Sequence, residues 1–68
     1  MAERLANRIK DRRAELGLTQ AELAEHVGVT RKTVNTVENG IFTPSTTLAL
    51  KLARALGVNV EQLFWIEF

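Results

Sequence analysis

Between Gln20 and Asn39 the apolar positions fall at Leu23, Val27, Val29, Val34 and Val37, and this spacing constrains the chain more than any other feature. Leu23 and Val27 lie one helical turn apart, and Val34 and Val37 repeat the step further on. Gly28 stands between the two sets, where a helix has to stop and the backbone has to turn back. Glycine takes a positive φ there without the steric cost that a side chain brings. Ala24 is small where two short helices packed at a steep angle must touch. The segment reads as two short helices joined by a tight turn. The second of them presents Arg31, Lys32, Asn35 and Thr36 on its outer face.

Capping residues set the boundaries. Thr19 with Glu22 three residues later forms a capping box, so the second helix of the chain runs from about Gln20 to Val27. Thr30 caps the third helix, which ends near Asn39 with Gly40 just beyond. Upstream, Ile9, Arg13 and Leu16 share one face of a first helix that Leu5 extends, and Gly17 stops it. Downstream, Ile41 to Pro44 form a loop. Ser45, or else Thr43 with Pro44 at the first helical position, opens a fourth helix whose buried stripe is Leu48, Ala49, Leu52, Ala53 and Leu56. Asn59, with Gln62 three residues on, caps a short fifth helix, and Val58, Leu63 and Phe64 close the core. Strand signal is confined to the tail, Phe64 to Phe68. Arg4-Leu5-Ala6 fits either a strand paired with that tail or a helix. The expected class is all-α, five helices in one domain spanning residues 1–68, with a short pairing of the two ends as an open option.

Composition narrows the partners. The chain has 68 residues, no cysteine and one histidine, so disulfides and a zinc site are not expected. No apolar run approaches the roughly 20 residues of a membrane span, and the N-terminus lacks the apolar segment of a signal peptide. The expected location is the cytoplasm. Net charge is only +1, but Arg4, Arg8, Lys10, Arg12 and Arg13 crowd the first 13 residues, Arg31 and Lys32 open the third helix, and Glu15, Glu22 and Glu25 fall between. A local basic face matters more for phosphate binding than the total. His26 has no Ser, Asp or Cys arrangement around it that suggests a catalytic triad, and no glycine loop cradles phosphate. Neither catalysis, a cofactor nor a small-molecule ligand is expected.

Four stretches taken together, Leu18-Thr19-Gln20-Ala21-Glu22-Leu23-Ala24, Val29-Thr30-Arg31-Lys32-Thr33-Val34, Glu38-Asn39-Gly40 and Pro44-Ser45, carry a resemblance. From Asn7 to Phe64 the chain resembles the phage repressor and Cro family, the xenobiotic-response-element type of helix-turn-helix protein. The resemblance implies a five-helix fold that binds double-stranded DNA by placing the third helix in the major groove. On that docking, Arg31 and Lys32 in the first turn reach base edges or phosphates, and the planar fork of Arg31 suits guanine O6 and N7. Asn35 and Thr36 follow one turn along, Thr36 at a base-contacting position of the family. Gln20, at the helix end where free N–H groups favour an anion, matches the family's phosphate clamp. Thr30 is a cap and a candidate phosphate donor. Asn39 and Thr43 match a second phosphate-contacting surface, with Thr43 in place of the basic residue often found there. Arg13 and Glu38 match a structural ion pair between the first helix and the end of the third.

The small stand-alone members that this chain looks like are commonly homodimers. Leu50 lies off the main stripe of its helix, and Leu63, Phe64, Trp65, Ile66 and Phe68 crowd the C-terminal end, more large apolar groups than a small core hides easily. They predict a two-fold homodimer with the fifth helix and residues 64–68 at the seam. The bland alternative is burial of the tail against the first helix. The expected function is a sequence-specific transcriptional regulator, a repressor, on an inverted-repeat operator. The competing class is an antitoxin-like or adaptor module whose apolar tail docks another protein.

Overall fold

A computed structural model describes residues 2–68; Met1 of the expected domain lies outside the described residues. The order of elements is β1 (Arg4–Asn7), α1 (Ile9–Leu16), α2 (Gln20–Val27), α3 (Arg31–Glu38), α4 (Thr46–Ala55), α5 (Val60–Leu63) and β2 (Phe64–Glu67). The five helices and the pairing of the two ends are both present. β1 and β2 form an antiparallel two-stranded sheet in the register Arg4↔Glu67, Leu5↔Ile66, Ala6↔Trp65 and Asn7↔Phe64. The sheet settles the choice left open for residues 4–6. Leu5 therefore does not extend α1, and Leu16 is 45% exposed rather than buried beside Ile9.

The caps fall where the side chains predict. Thr19 and Glu22 form the capping box of α2, Thr30 caps α3, Ser45 rather than Thr43 caps α4, and Asn59 with Gln62 forms the box of α5. At the α2–α3 turn Gly28 has φ 75°, its N–H donates to Glu25 O (3.3 Å), and the N–H of Val29 donates to Ala24 O (3.0 Å). A Cβ placed at Gly28 meets nothing within 4 Å, so the requirement for glycine there is conformational rather than a matter of space.

The core is one cluster built from every helix. Ile9, Leu23, Leu52, Leu56 and Leu63 are fully shielded, and Ala24, Val27, Val34, Val37, Ala53 and Phe64 are buried around them. Leu48, Ala49 and Val58 pack partly against this cluster. Leu63 and Phe64, expected both to close the core and to lie at a subunit seam, are buried in the interior of the chain itself, as the first of those expectations has it. α5 turns directly into β2 at Phe64, which is 7% exposed, so the pairing of β2 with β1 carries both side chains inward. Trp65, Ile66 and Phe68 stay 37%, 50% and 83% exposed, and Leu50 stays 56% exposed.

Polar side chains join the elements. Arg13 and Glu38 form the expected pair in a bidentate geometry, Nε to Oε2 at 2.6 Å and Nη2 to Oε1 at 3.1 Å. The two side chains are 14% and 5% exposed, and Arg13 Nη1 also donates to Leu18 O at 2.9 Å. The hydrogen bond that Arg13 donates to Glu38 raises the pKa of Arg13 further above its ordinary value, so the guanidinium stays charged. Asn7 was not singled out by sequence, yet it bridges two helix ends. Its Oδ1 accepts from the N–H of Ile9 (3.0 Å), and its Nδ2 donates to Val37 O (3.1 Å) and Glu38 O (3.3 Å).

Removing one partner of a shielded pair leaves the other charge uncompensated, which costs about 3 kcal/mol at the low end of such cases. Glu38→Ala is therefore expected to lower the melting temperature by more than about 10 °C in a domain of this size, while Glu25→Ala, at an exposed position, leaves it nearly unchanged. Equal melting temperatures would remove the pair from the account. A second expectation concerns acid. The Thr19 backbone N–H and hydroxyl hold the Glu22 carboxyl below its ordinary range. A lowered folded-state pKa contributes stability that is complete above the unfolded value of about 4.3 and is lost as pH falls through the folded value. Thermal melts from pH 6 downward should show a shallower loss for Glu22→Gln, which keeps the box without the titration, than for the parent chain.

Candidate nucleic-acid interface

The outer face of α3 is set by the stripe on its inner face. Val34 and Val37 are 1% and 2% exposed against the core, so Arg31, Lys32, Asn35 and Asn39 are carried to the opposite side at helical spacing. Arg31, Lys32 and Asn35 line one shallow groove of about 320 Å³. Among the described residues neither cation is paired with a carboxylate; the three ion pairs are Arg4–Glu67, Arg12–Glu15 and Arg13–Glu38. The first turn of α3 is thus an exposed, uncompensated cationic tip.

Gln20 stands beside this face at the start of α2. Its Nε2 donates to Glu38 Oε1 (3.2 Å), and its Oε1 lies 3.5 Å from Asn35 Nδ2, at the outer limit of a hydrogen bond. The amide orientation follows from chemistry, because a carboxylate can only accept. One amide N–H of Gln20 remains uncommitted by these bonds. Glu38, which anchors α3 to α1, therefore also fixes the side chain at the near edge of the exposed face.

Thr30 is committed to capping: its Oγ1 accepts from the N–H of Thr33 (3.2 Å) and lies 3.1 Å from Thr33 Oγ1. Thr36 is half-buried and its hydroxyl donates to Thr33 O (2.9 Å). Asn39 Nδ2 donates to Asn35 O (2.8 Å), closing the end of α3. Asn39 and Thr43 share a separate groove of about 360 Å³ between the loop and the sheet, away from Arg31 and Lys32. The expected residues thus divide into a cluster of Gln20, Arg31, Lys32 and Asn35, with Thr30 and Thr36 engaged within α3, and a second group of Asn39 and Thr43.

Of the five basic residues near the N-terminus, the four arginines are engaged within the fold, while Lys10 is exposed without a carboxylate partner among the described residues. Arg13 is spent on Glu38. Arg12 Nε donates to Leu56 O at the end of α4 (2.8 Å), and its Nη1 pairs with Glu15 (3.2 Å). Arg8 lies over the Trp65 ring at 5.1 Å, and Arg4 pairs with Glu67 at 3.3 Å. Each of the four has a structural contact, which their clustering in sequence conceals. Two exposed apolar residues escaped the sequence reading: Ile41, 76% exposed, and Phe42, 49% exposed, in the loop after α3. Large apolar side chains inside a loop were the available signal. Among the described residues no helix is long and apolar enough to cross a membrane, and no group of His, Asp and Glu is placed to hold a metal.

Comparison with known proteins agrees with this geometry. Residues 9–63 match the helix-turn-helix family model. The chain is 44% identical over 63 residues to the uncharacterized HTH-type transcriptional regulator YgzD of Bacillus subtilis, covering 93% of this chain and 96% of that protein. It is 52% identical over 60 residues to an HTH-type transcriptional regulator of Methanothermobacter thermautotrophicus, covering 87% of each. Among solved structures, a protein from Bacteroides fragilis superposes with a TM-score of 0.80 at 33% identity, covering 90% of this chain and 98% of that one. The packed α2–α3 pair, the exposed cationic tip of α3 and these matches together show that the chain belongs to the helix-turn-helix family of transcriptional regulators, of the phage repressor and Cro type.

Proposed function

We propose that this protein binds a specific operator as a homodimer, one α3 per subunit entering the major groove of each half-site, and that it represses transcription where the operator overlaps a promoter. The observation that carries the reading is the first turn of α3, where Arg31 and Lys32 are exposed and unpaired beside Asn35. Arg31 reads guanine through its paired N–H donors, and Lys32 contributes a base or phosphate contact. The free N–H of Gln20 suits a phosphate oxygen at the α2 end. Asn39 and Thr43 suit a neighbouring stretch of backbone. Phosphate contacts supply affinity and register, and base contacts select sequence.

Self-association is supported by the surface that remains after Leu63 and Phe64 are assigned to the core. Trp65, Ile66 and Phe68 are exposed on or after β2, whose sheet has only two strands and so leaves an unpaired edge on each. Leu50 is a further exposed apolar residue on α4. A two-fold pairing through this end implies an inverted repeat with half-site centres about 10 bp apart, one turn of DNA.

Two measurements test the reading. Duplexes selected from a random pool should show a symmetric preference. Arg31→Ala should bind the preferred site more weakly by about 1–3 kcal/mol and lose discrimination at one base pair per half-site; unchanged preference at every position would exclude Arg31 as a reader. Light scattering should return twice the 7.6 kDa chain mass, falling to one chain in Ile66→Lys with Phe68→Lys. A parent chain that is monomeric at DNA-binding concentrations would exclude the dimer and favour a different protein on the apolar tail.

A further inference from the structure

Beside the cationic tip of α3 lies a strip of different chemistry. Lys32, Thr33, Thr36, Ile41 and Phe42 line an open groove of about 360 Å³ along the side of α3 opposite Gln20. The two threonine hydroxyls are engaged in the helix: Thr36 donates to Thr33 O, and Thr33 lies against Thr30 Oγ1. What these side chains have left to offer a ligand is mainly methyl surface. Ile41 and Phe42 add two large apolar groups.

The loop that carries them is pinned. Gly40 takes φ 72°, and the N–H groups of Ile41 and Phe42 both donate to Thr36 O, at 2.9 and 3.1 Å. Ile41 is thereby held against the last turn of α3 and yet is 76% exposed. An apolar side chain fixed by backbone hydrogen bonds and left in water gains nothing in the free protein. Residues 39–45 carry no charge, so Lys32 is the one cation lining this groove and the loop itself has none to offer a phosphate.

Resting on the DNA-binding reading above, we propose that Ile41, with Phe42 and the methyl of Thr36, is a specificity-determining contact to the 5-methyl group of a thymine. The strip is continuous with the face of α3 that carries Lys32, so a base pair next to those touched by the first turn comes opposite it. In the major groove the thymine methyl is the apolar feature that distinguishes thymine from the other bases. A fixed apolar strip selects it by excluding water, and it gains less from cytosine, which has no methyl to bury there.

The test uses the full chain and duplexes selected from a random pool. The selected sites should carry thymine at a fixed offset from the base pair read by Arg31. Replacing that thymine with deoxyuracil removes only the methyl and should weaken binding roughly fourfold per half-site. Ile41→Ala should bind the thymine and deoxyuracil duplexes alike, near the level of the parent chain on deoxyuracil. Its circular dichroism should match the parent, because Ile41 is not a core residue. Selection without a fixed thymine, no loss on deoxyuracil at any position, or an Ile41→Ala variant that keeps the full methyl dependence would each overturn the proposal while leaving DNA binding intact. Failure to bind any duplex would instead overturn the regulator reading itself, and this inference with it.

Discussion

The carboxylate of Glu38 is the junction on which the working face depends. It sits at the end of α3 with its side chain 5% exposed, accepts two bonds from Arg13 of α1, and accepts a third from Gln20 of α2. A pair taken this far out of water has little net stability to offer, because desolvation offsets much of the attraction. Its value is directional. The bidentate geometry fixes the end of α3 relative to α1, and the Gln20 bond fixes the edge of α2 beside Asn35. Asn7 adds a neutral counterpart by joining the start of α1 to the last carbonyls of α3. α3 is thus held at its far end by polar contacts and along its inner side by Val34 and Val37, which leaves the first turn with no task inside the fold.

That division of labour explains the distribution of charge. Of the basic residues that crowd the N-terminus, Arg4, Arg8, Arg12 and Arg13 have partners within the chain, and Lys10 makes no ion pair among the described residues. Arg31 and Lys32 have none among the described residues. A net charge of +1 is therefore a poor guide to the surface. Lys10, Arg31, Lys32, Lys51 and Arg54 make no ion pair among the described residues, and of these Arg31 and Lys32 stand side by side at the first turn of α3, where a short protrusion suits a groove about 12 Å wide. The apolar strip at Ile41 and Phe42 follows the same logic, since it is exposed, fixed in place and unused by the core.

Much of this was legible in the residues. Thr19, Thr30, Ser45 and Asn59 are local signals whose hydrogen bonds reach only three residues along the chain, so each could be read without knowledge of the fold. The stripes of α2 and α4 were legible for a related reason: helical periodicity is itself a local property. The Arg13–Glu38 pair came through resemblance, as nothing in the spacing of two residues 25 apart implies contact. Asn7 was missed because its partners lie 30 and 31 residues away. Leu63 and Phe64 could be read both as core and as seam, because hydrophobicity alone does not say which large side chains a small core has room for.

The sequence by itself determined where α2 and α3 begin and end and where α5 starts, which faces of α2, α3 and α4 turn inward, and hence that Arg31, Lys32 and Asn35 share an outer face. Those outcomes follow from backbone capping and from a 3.6-residue period, and both act within a few residues. The tertiary structure alone decided that residues 4–7 are a strand, that the tail divides into a buried Phe64 and an exposed Trp65, Ile66 and Phe68, and that four arginines serve the fold. Each of these outcomes depends on which distant segment arrives alongside. Leu5 meets Ile66 across β1–β2, and Arg12 meets the Leu56 carbonyl just past α4, only after the core has closed.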